Sequence, residues 1–446
     1  MDRFPPLLEQ VPGSDLTLAP AVEVLQRVFA LLDSKSILYC VSHGYENLPD
    51  RWGSDIDILI DRAVSGDAIG ELLTFHGQII GARLVRRNDL YVILRCAPRH
   101  GIPQFLVLDF SHDVTCRNHV TGSGAAVLAR RRRKGGVWVP AIGDAFEIQL
   151  ARSILKGRPS VQVTNGLSAL FAEDPDDAAR ALLRSWPRRL ALELTEAAAS
   201  NSWHGIVAKA RALRHDLRMR NVVAAPANAV LRTLRAQAAR ARRFLQPQGL
   251  HVVMLGPDGA GKSSTIAALE NGLKPLFART EVRGFAPSLR QLLRRAPTST
   301  STPHALATRS WGTSLLRAIY WMAFAVVSHA TLRIAKARSR LVLNDRHFID
   351  ILVDPVRYRY GGPRWALKIV EWLMPRPDLV ILLDGRPEVL QARKKEITVE
   401  TTARLCAEYL RLVSALPCGH IVDAEQRPEQ VCGSAAVLIV EALHRT

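Results

Sequence analysis

Eight consecutive residues, Gly256-Pro257-Asp258-Gly259-Ala260-Gly261-Lys262-Ser263, carry the clearest chemistry in this sequence. The glycines let the backbone curl so that successive N–H groups face inward, which makes a cradle for phosphate oxygens. A lysine closing such a cradle reaches the β- and γ-phosphates of a nucleoside triphosphate, and the Ser263 hydroxyl is suited to Mg²⁺. Ser264 leads into a helical pattern whose N-terminal dipole favours the same anion. These types at this spacing predict binding of ATP with Mg²⁺ and phosphoryl transfer from it.

A second set follows the apolar run Arg340-Leu-Val-Leu-Asn344. Asp345, at the end of that strand, is placed to manage Mg²⁺, and Arg346 to grip an acceptor phosphate with both arms of its guanidinium. The bland alternative is a structural Asp-Arg pair. The segment from Asp354 to Gly362 adds two arginines and two tyrosines that could frame a substrate. After the core strand ending at Asp384, the cluster Arg393-Lys394-Lys395 is suited to cover a transferring phosphoryl group. A solvated helix face is the alternative there.

A third set lies near the start. Gly53-Ser54-Asp55-Ile56-Asp57 enters a short apolar strand, and period two puts Asp55 and Asp57 on one face. Asp109, within Phe105-Leu-Val-Leu-Asp-Phe110, is placed to supply a third carboxylate. Such a set could hold two metal ions, Mg²⁺ or Mn²⁺, for in-line nucleotidyl transfer, with Gly53 and Ser54 at the nucleotide phosphates. The basic run from Arg130 to Lys134 could meet nucleotide phosphates or a polyanion, or be a solvated turn.

The elements that must position these residues divide at about 160 and 248. In residues 1–160, periodicity predicts a helix over 21–32 and strands over 36–41, 56–60, 83–94 and 105–110, four strands in one small sheet, with a helix over 146–155. Residues 161–248 read as a helical connector, with Asp174-Pro175-Asp176-Asp177 as a helix start. Its arginines, Arg211, Arg214, Arg218, Arg220, Arg232, Arg235, Arg240, Arg242 and Arg243, are most simply solvated faces. In residues 249–446, His251 to Leu255 is a strand and Ser264 to Glu270 a helix. The polar stretch 297–303 reads as a loop. The apolar run Ala318 to Val327 is too short for a membrane span and reads as a buried helix, a membrane-surface helix being the lesser alternative.

Residues 249–446 resemble the thymidylate kinase-like branch of the nucleoside monophosphate kinases. The resemblance implies that Asp258 faces the sugar hydroxyl of the acceptor, that Arg346 in Asp345-Arg346-His347 binds its phosphate, and that the lid falls at Arg393, Lys394 and Lys395. The lid lacks the usual well-spaced arginine pair, and residues 285–310 do not match the family's base-recognition region. Residues 20–160 resemble the polymerase-beta-like nucleotidyltransferases through Gly53-Ser54, Asp55, Asp57 and Asp109. The fold expected is α/β: a P-loop kinase domain of three layers around a parallel sheet, plus an α+β nucleotidyltransferase-like domain and the helical connector.

Composition sets the outer bounds. The chain has 446 residues, 48% hydrophobic, with a formal charge of +19. That excludes a disordered composition and favours anionic partners. Nucleotides or other phosphorylated small molecules fit the motifs. Nucleic acid is the lesser reading, because no basic-aromatic interleaving accompanies the charge. A homodimer is left open. The six cysteines form no C-x-x-C pair, the first residues are a poor signal peptide, and a cytoplasmic setting is expected. The leading expectation is an ATP-dependent kinase acting on a nucleoside monophosphate. Its rival is a metal-dependent nucleotidyltransferase, alone or alongside the kinase.

Overall fold

Pro20 opens a helix whose apolar residues fall at Val24, Leu25, Val28, Phe29, Leu31 and Leu32, and Ala21–Ser34 (α1) buries that face. In this computed structural model the described residues are 17–99, 101–116, 119–157, 159–224, 237, 247–285, 309–394 and 397–445. The chain divides into two compact units, residues 1–97 with 104–236, and residues 98–103 with 237–446.

In the first unit, α1 is followed by Tyr39–Val41 (β1), Ile56–Ile60 (β2), helices Gly66–Phe75 (α2) and Gly77–Ile80 (α3), then Arg83–Asn88 (β3), Tyr91–Arg99 (β4) and Ile102–Ser111 (β5). They form one sheet in the order β1-β2-β5-β4-β3. The single strand expected over 83–94 is in fact two. Asp89 turns the chain at φ +56°, a left-handed position that aspartate tolerates, and β3 folds back antiparallel on β4. The sheet therefore has five strands, not four. Its core joins α1 to the sheet through Leu25, Val28, Leu32, Ile58, Leu108 and Phe110.

Two short hairpins follow, Val114–Cys116 (β6) with His119–Gly122 (β7) and Arg132–Lys134 (β8) with Val137–Val139 (β9), separated by Gly124–Arg130 (α4). Then come helices Ile142–Lys156 (α5), Val161–Glu173 (α6), Pro175–Ser185 (α7), Arg188–Ala199 (α8) and His204–Ala224 (α9). Asp174 caps α7 by accepting from Asp177 N at 3.0 Å, the start that its sequence announced. Phe146, Leu150, Leu167, Leu182, Leu194 and Trp203 share one helical core. Arg211 and Arg218 are exposed, while Arg214 donates to the Ile154 carbonyl. Arg232, Arg235, Arg240, Arg242 and Arg243, and the loop over 297–303, lie outside the described residues.

The second unit is built on Leu250–Leu255 (β10), all six residues of which are buried, as a strand covered on both faces requires. With Arg279–Arg283 (β11), Arg340–Asn344 (β12), Leu379–Asp384 (β13) and Gly419–Asp423 (β14) it forms a wholly parallel sheet, order β11-β12-β10-β13-β14. The helices are Lys262–Gly272 (α10), Trp311–Ala337 (α11), Phe348–Val353 (α12), Arg364–Leu373 (α13), Pro387–Arg393 (α14), Val399–Ser414 (α15) and Pro428–Arg445 (α16). Helix α10 packs on α16, and α15 covers Val253, Leu255, Val380 and Leu382.

The expectation of a buried helix over 318–327 needs correcting. Ala318, Trp321 and Ala325 are buried, but Ile319, Val326 and Val327 of the same helix are exposed. Helix α11 is long and apolar enough by length and composition to cross a membrane, yet one of its faces is part of this core.

Candidate active site

At the end of β10 the backbone makes turns that side chains forbid. Gly259 sits at φ +86°, and a Cβ there would lie 2.3 Å from the Leu390 carbonyl oxygen. Gly261, at φ +87°, is the residue on which α10 begins. Gly256 also has positive φ, and Ala260, within the loop, is buried. Lys262 is therefore the first residue of a helix at the carboxyl end of the central strand. It is buried, and its Nζ donates to the carbonyls of Gly256 at 2.5 Å and Pro257 at 3.0 Å. Burial, aided by the nearby Arg346 cation, pushes its pKa down to about 8. Ser263 and Ser264 are exposed on the first turn.

Opposite the loop stands the turn after β12. The His347 ring accepts from Ile349 N at 3.4 Å, and the Asp350 carboxylate accepts from His347 N at 2.7 Å, a reciprocal cap that starts α12. Asp350 is fully buried and also accepts from the Tyr409 hydroxyl at 2.6 Å. This turn holds Arg346, whose Nη2 lies 3.5 Å from Asp258 Oδ1. Burial opposes the Arg346 charge, but Tyr358, Asp350, Asp258 and Asp345 outweigh it and hold its pKa above the ordinary value. Asp258 Oδ2 accepts from Arg357 Nη1 at 2.5 Å. Burial alone would raise the Asp258 pKa; the Arg357 hydrogen bond and the surrounding cations of Arg357, Lys262 and Arg346 bring it well below the usual range. The structure thus brings Asp258, Lys262 and Arg346 together, and adds Arg357.

Asp345 is half-buried, and its Oδ1 is buried with no partner among the described residues. An orphaned carboxylate oxygen at a strand end, with the exposed Ser263 hydroxyl at the head of α10, suits a hard cation. Mg²⁺ characteristically takes few protein oxygens and completes its shell with water and phosphate.

In the first unit, β2 and β5 run parallel, with Asp57 registered on Asp109. Asp55, two residues before Asp57, is half-buried too, and accepts from the Ser54 hydroxyl at 2.6 Å. Gly53 and Ser54 are exposed beside it. Burial and then the negative charges of Asp57 and Asp55 push the Asp109 pKa up to about 6. For Asp57, burial acts upward, but the His43 hydrogen bond and charge prevail and its pKa falls. His43 Nε2 lies 2.9 Å from Asp57 Oδ2. Among the described residues no three His, Cys, Asp or Glu side chains stand close enough to hold a metal ion. The three carboxylates share a face without forming a closed ligand set. The nearby basic run is largely engaged: Arg130 holds buried Asp144 with two hydrogen bonds, and Arg133 bonds Asp33.

No known protein-family model matches the chain. It is similar to the thymidylate kinase of Xanthomonas oryzae pv. oryzae, 29% identical over 228 residues, covering 45% of this chain and 86% of the relative. It is also similar to a probable thymidylate kinase of Pyrobaculum aerophilum, 27% identical over 203 residues, covering 42% of this chain and 95% of the relative. A solved thymidylate kinase from Candida albicans aligns at a TM-score of 0.33 and 18% identity, over 43% of this chain and 91% of its own, a score too low to carry weight. The chain contains a P-loop kinase-like region.

In this P-loop kinase-like region the expected lid residues sit at the end of α14. Arg393 is exposed and its Nη1 donates to the Ala424 carbonyl at 2.9 Å. The Lys394 Cβ lies 3.5 Å from where a Cβ on Gly259 would stand, so it borders the phosphate loop. Lys395 lies outside the described residues. Sequence reasoning missed Arg357 as the partner of Asp258, although it marked the segment. The signal was Asp354, whose Oδ1 accepts from Arg357 N at 3.1 Å and closes the turn that presents it. It missed Asp350, whose only local sign is its place three residues after the capping His347, Tyr409, which has no local signature, and His43 beside Asp57.

Proposed function

We propose that this protein transfers the γ-phosphoryl group of ATP to a phosphorylated small molecule, a nucleoside monophosphate. The observation that carries the reading is the contact between Arg346 and Asp258: a guanidinium suited to an acceptor phosphate stands against the phosphate loop itself. The two relatives named above are thymidylate kinases, and the reading follows their activity.

Lys262 holds the β- and γ-phosphates, exchanging its two loop carbonyls for phosphate oxygens and regaining full charge beside them. The Ser263 hydroxyl and Asp345 would hold Mg²⁺, which when bound would supply positive charge against the phosphates. Arg346 grips the phosphate of the acceptor. Asp258 receives a hydroxyl of its sugar, in an orientation fixed by Arg357. Arg393 and Lys394 cover the transferring group. Positioning and charge supply the rate, and no protein nucleophile takes part. The site is cytoplasmic in this reading, where ATP and nucleoside monophosphates meet.

The test is a screen of nucleoside monophosphates and other phosphorylated metabolites with ATP-Mg²⁺, read by mass spectrometry for products heavier by one phosphoryl group. No product from any monophosphate would reject the acceptor class. ATP hydrolysis alone would leave phosphoryl transfer to water and no phosphorylated acceptor.

A second activity rests on the register of Asp57 with Asp109. In this reading the first unit is a metal-dependent nucleotidyltransferase. Asp55, Asp57 and Asp109 would hold Mg²⁺ or Mn²⁺, and Gly53 and Ser54 the triphosphate. Metal-dependent incorporation of labelled nucleotide, absent in Asp55→Asn, would support it.

A further inference from the structure

Two neighbouring helices of the second unit bring apolar side chains to the surface instead of the core. On α13, Trp372 is 81% exposed and Trp365 56% exposed, with Ile369 between them, also exposed. Their spacing of four and three residues makes one stripe along the helix. The opposite side of α13, Ala366, Leu367 and Val370, fills the core that it shares with Ala318, Trp321 and Ala325 of α11. On α11, Leu316, Ile319, Val326, Val327 and Ile334 are exposed. The His329 ring of α11 lies 2.9 Å from the Leu373 carbonyl, so the end of α13 that carries Trp372 lies beside α11. Exposed apolar residues scattered singly need no explanation, but two adjacent helices showing stripes of them do.

The charges bordering the stripe are mostly basic, three cations to one acid. Arg364 and Lys368 on α13, and Arg376 just beyond it, are exposed, and none makes a hydrogen bond or ion pair with another described residue. Glu371 is the one acid on the exposed side of α13. We propose that this face rests on a lipid bilayer rich in anionic headgroups. Trp365, Ile369 and Trp372 enter the boundary between headgroups and acyl chains, and Arg364, Lys368 and Arg376 meet the lipid phosphates.

Three arguments select this occupant. Tryptophan, with an apolar ring and one N–H donor, favours the membrane–water boundary over either side. A helix with aromatic residues along one stripe and lysine and arginine beside it has the composition of one that lies in that boundary. A second copy of the chain would set Arg364, Lys368 and Arg376 near cations of the same kind with one glutamate to answer them, whereas an anionic surface answers all three. The contact is peripheral, because the other faces of α11 and α13 are committed to the core. It is independent of what the phosphate loop transfers.

The experiment is flotation of the full chain with vesicles of phosphatidylcholine alone and with vesicles containing about 30% phosphatidylglycerol. The protein should float with the anionic vesicles, release as salt rises, and shift its tryptophan emission to the blue on binding. A protein of +19 charge attracts anionic surfaces without any special face, so the deciding variant keeps the charge. Trp365→Ser with Trp372→Ser should lower partitioning by about tenfold or more and remove the emission shift, at an unchanged melting temperature. If the double variant is unstable, the single variants Trp365→Ser and Trp372→Ser, which also keep the charge, serve instead; each should weaken binding in part, and no loss in either overturns the proposal. Binding by the tryptophan variant equal to the parent, or no flotation of the parent, overturns the proposal. So does a parent that is dimeric by light scattering and becomes monomeric in the tryptophan variant, since the face would then join two copies.

Discussion

Arg357 donates to the carboxylate of Asp258 from 99 residues further along the chain, while Arg346 approaches the other oxygen of the same carboxylate at 3.5 Å. One acid in the phosphate loop thus arbitrates between two arginines. Without Arg357, Asp258 would draw Arg346 fully into its own ion pair. Arg357→Ala should therefore raise the KM for the phosphorylated acceptor by about tenfold or more and leave ATP affinity nearly unchanged. Arg346→Lys should show the same split, since it keeps charge but loses the fork. Steady-state kinetics in each substrate, with calorimetric titration of ATP, would measure it. Equal losses for both substrates would place these arginines elsewhere in the mechanism.

Lys262→Ala should lower kcat by about a hundredfold or more, because the charge that it meets grows in the transition state. Its stability should hold or rise. The ammonium is buried with its pKa depressed to about 8, so removing it relieves a desolvated charge. Single-turnover rates and a thermal melt give the two readings, and wild-type turnover would rule out the proposed role.

The same lysine sets a pH dependence. Free Lys262 loses its proton through about pH 8, and bound phosphate raises that value by opposite charge. Below the free pKa, binding takes up no proton. Above it, binding requires one, so ATP affinity should fall by up to about tenfold per pH unit. Titrations from neutral to alkaline pH would trace the slope, and a flat profile would refute the shift.

Gly259→Ala tests the loop directly. The new Cβ would meet the Leu390 carbonyl at 2.3 Å in a backbone at φ +86°. The expected cost exceeds the about 1–3 kcal/mol of the backbone conformation alone, because the carbonyl must also move, and it is concentrated in the phosphate cradle. ATP binding should suffer before global unfolding does, as equilibrium titration and denaturant melts would show. Gly261→Ala meets open space, so its penalty should come from φ alone.

The carboxylates of the first unit make a prediction of opposite sign to the usual acidic case. The folded pKa of Asp109 is raised to about 6. A raised acid binds its proton more tightly when folded. Its contribution is present below the unfolded value and is lost as pH rises through about 6. Asp109→Asn should therefore raise the melting temperature at neutral pH while changing little near pH 4. If the carboxylates hold metal, Mn²⁺ should stabilise the parent at neutral pH and not the variant. An equal Mn²⁺ response in both would remove Asp109 from any metal site.

Much of this was written locally. The phosphate loop is legible because its shape depends on consecutive residues: glycines where φ must be positive, a lysine at the helix start, a buried strand before it. Strand β2 was found to the residue because its pattern Ile-Asp-Ile-Leu-Ile starts after a polar turn. Asp174 announced α7 through its own capping bond.

Tertiary structure decided what depends on residues distant in sequence. Nothing near Asp258 reveals Arg357, and nothing near Asp57 reveals His43; sheet order and the turns between elements bring each pair together. The hairpin within residues 83–99 turned on one aspartate in a left-handed conformation, where the apolar pattern alone read as continuous. The exposure of Ile319 and Val326 was equally hidden, since an apolar stretch looks the same in sequence whether its neighbours cover one face or all of them. Composition settles that a segment is apolar; only the packing of other elements around it settles which of its side chains leave water.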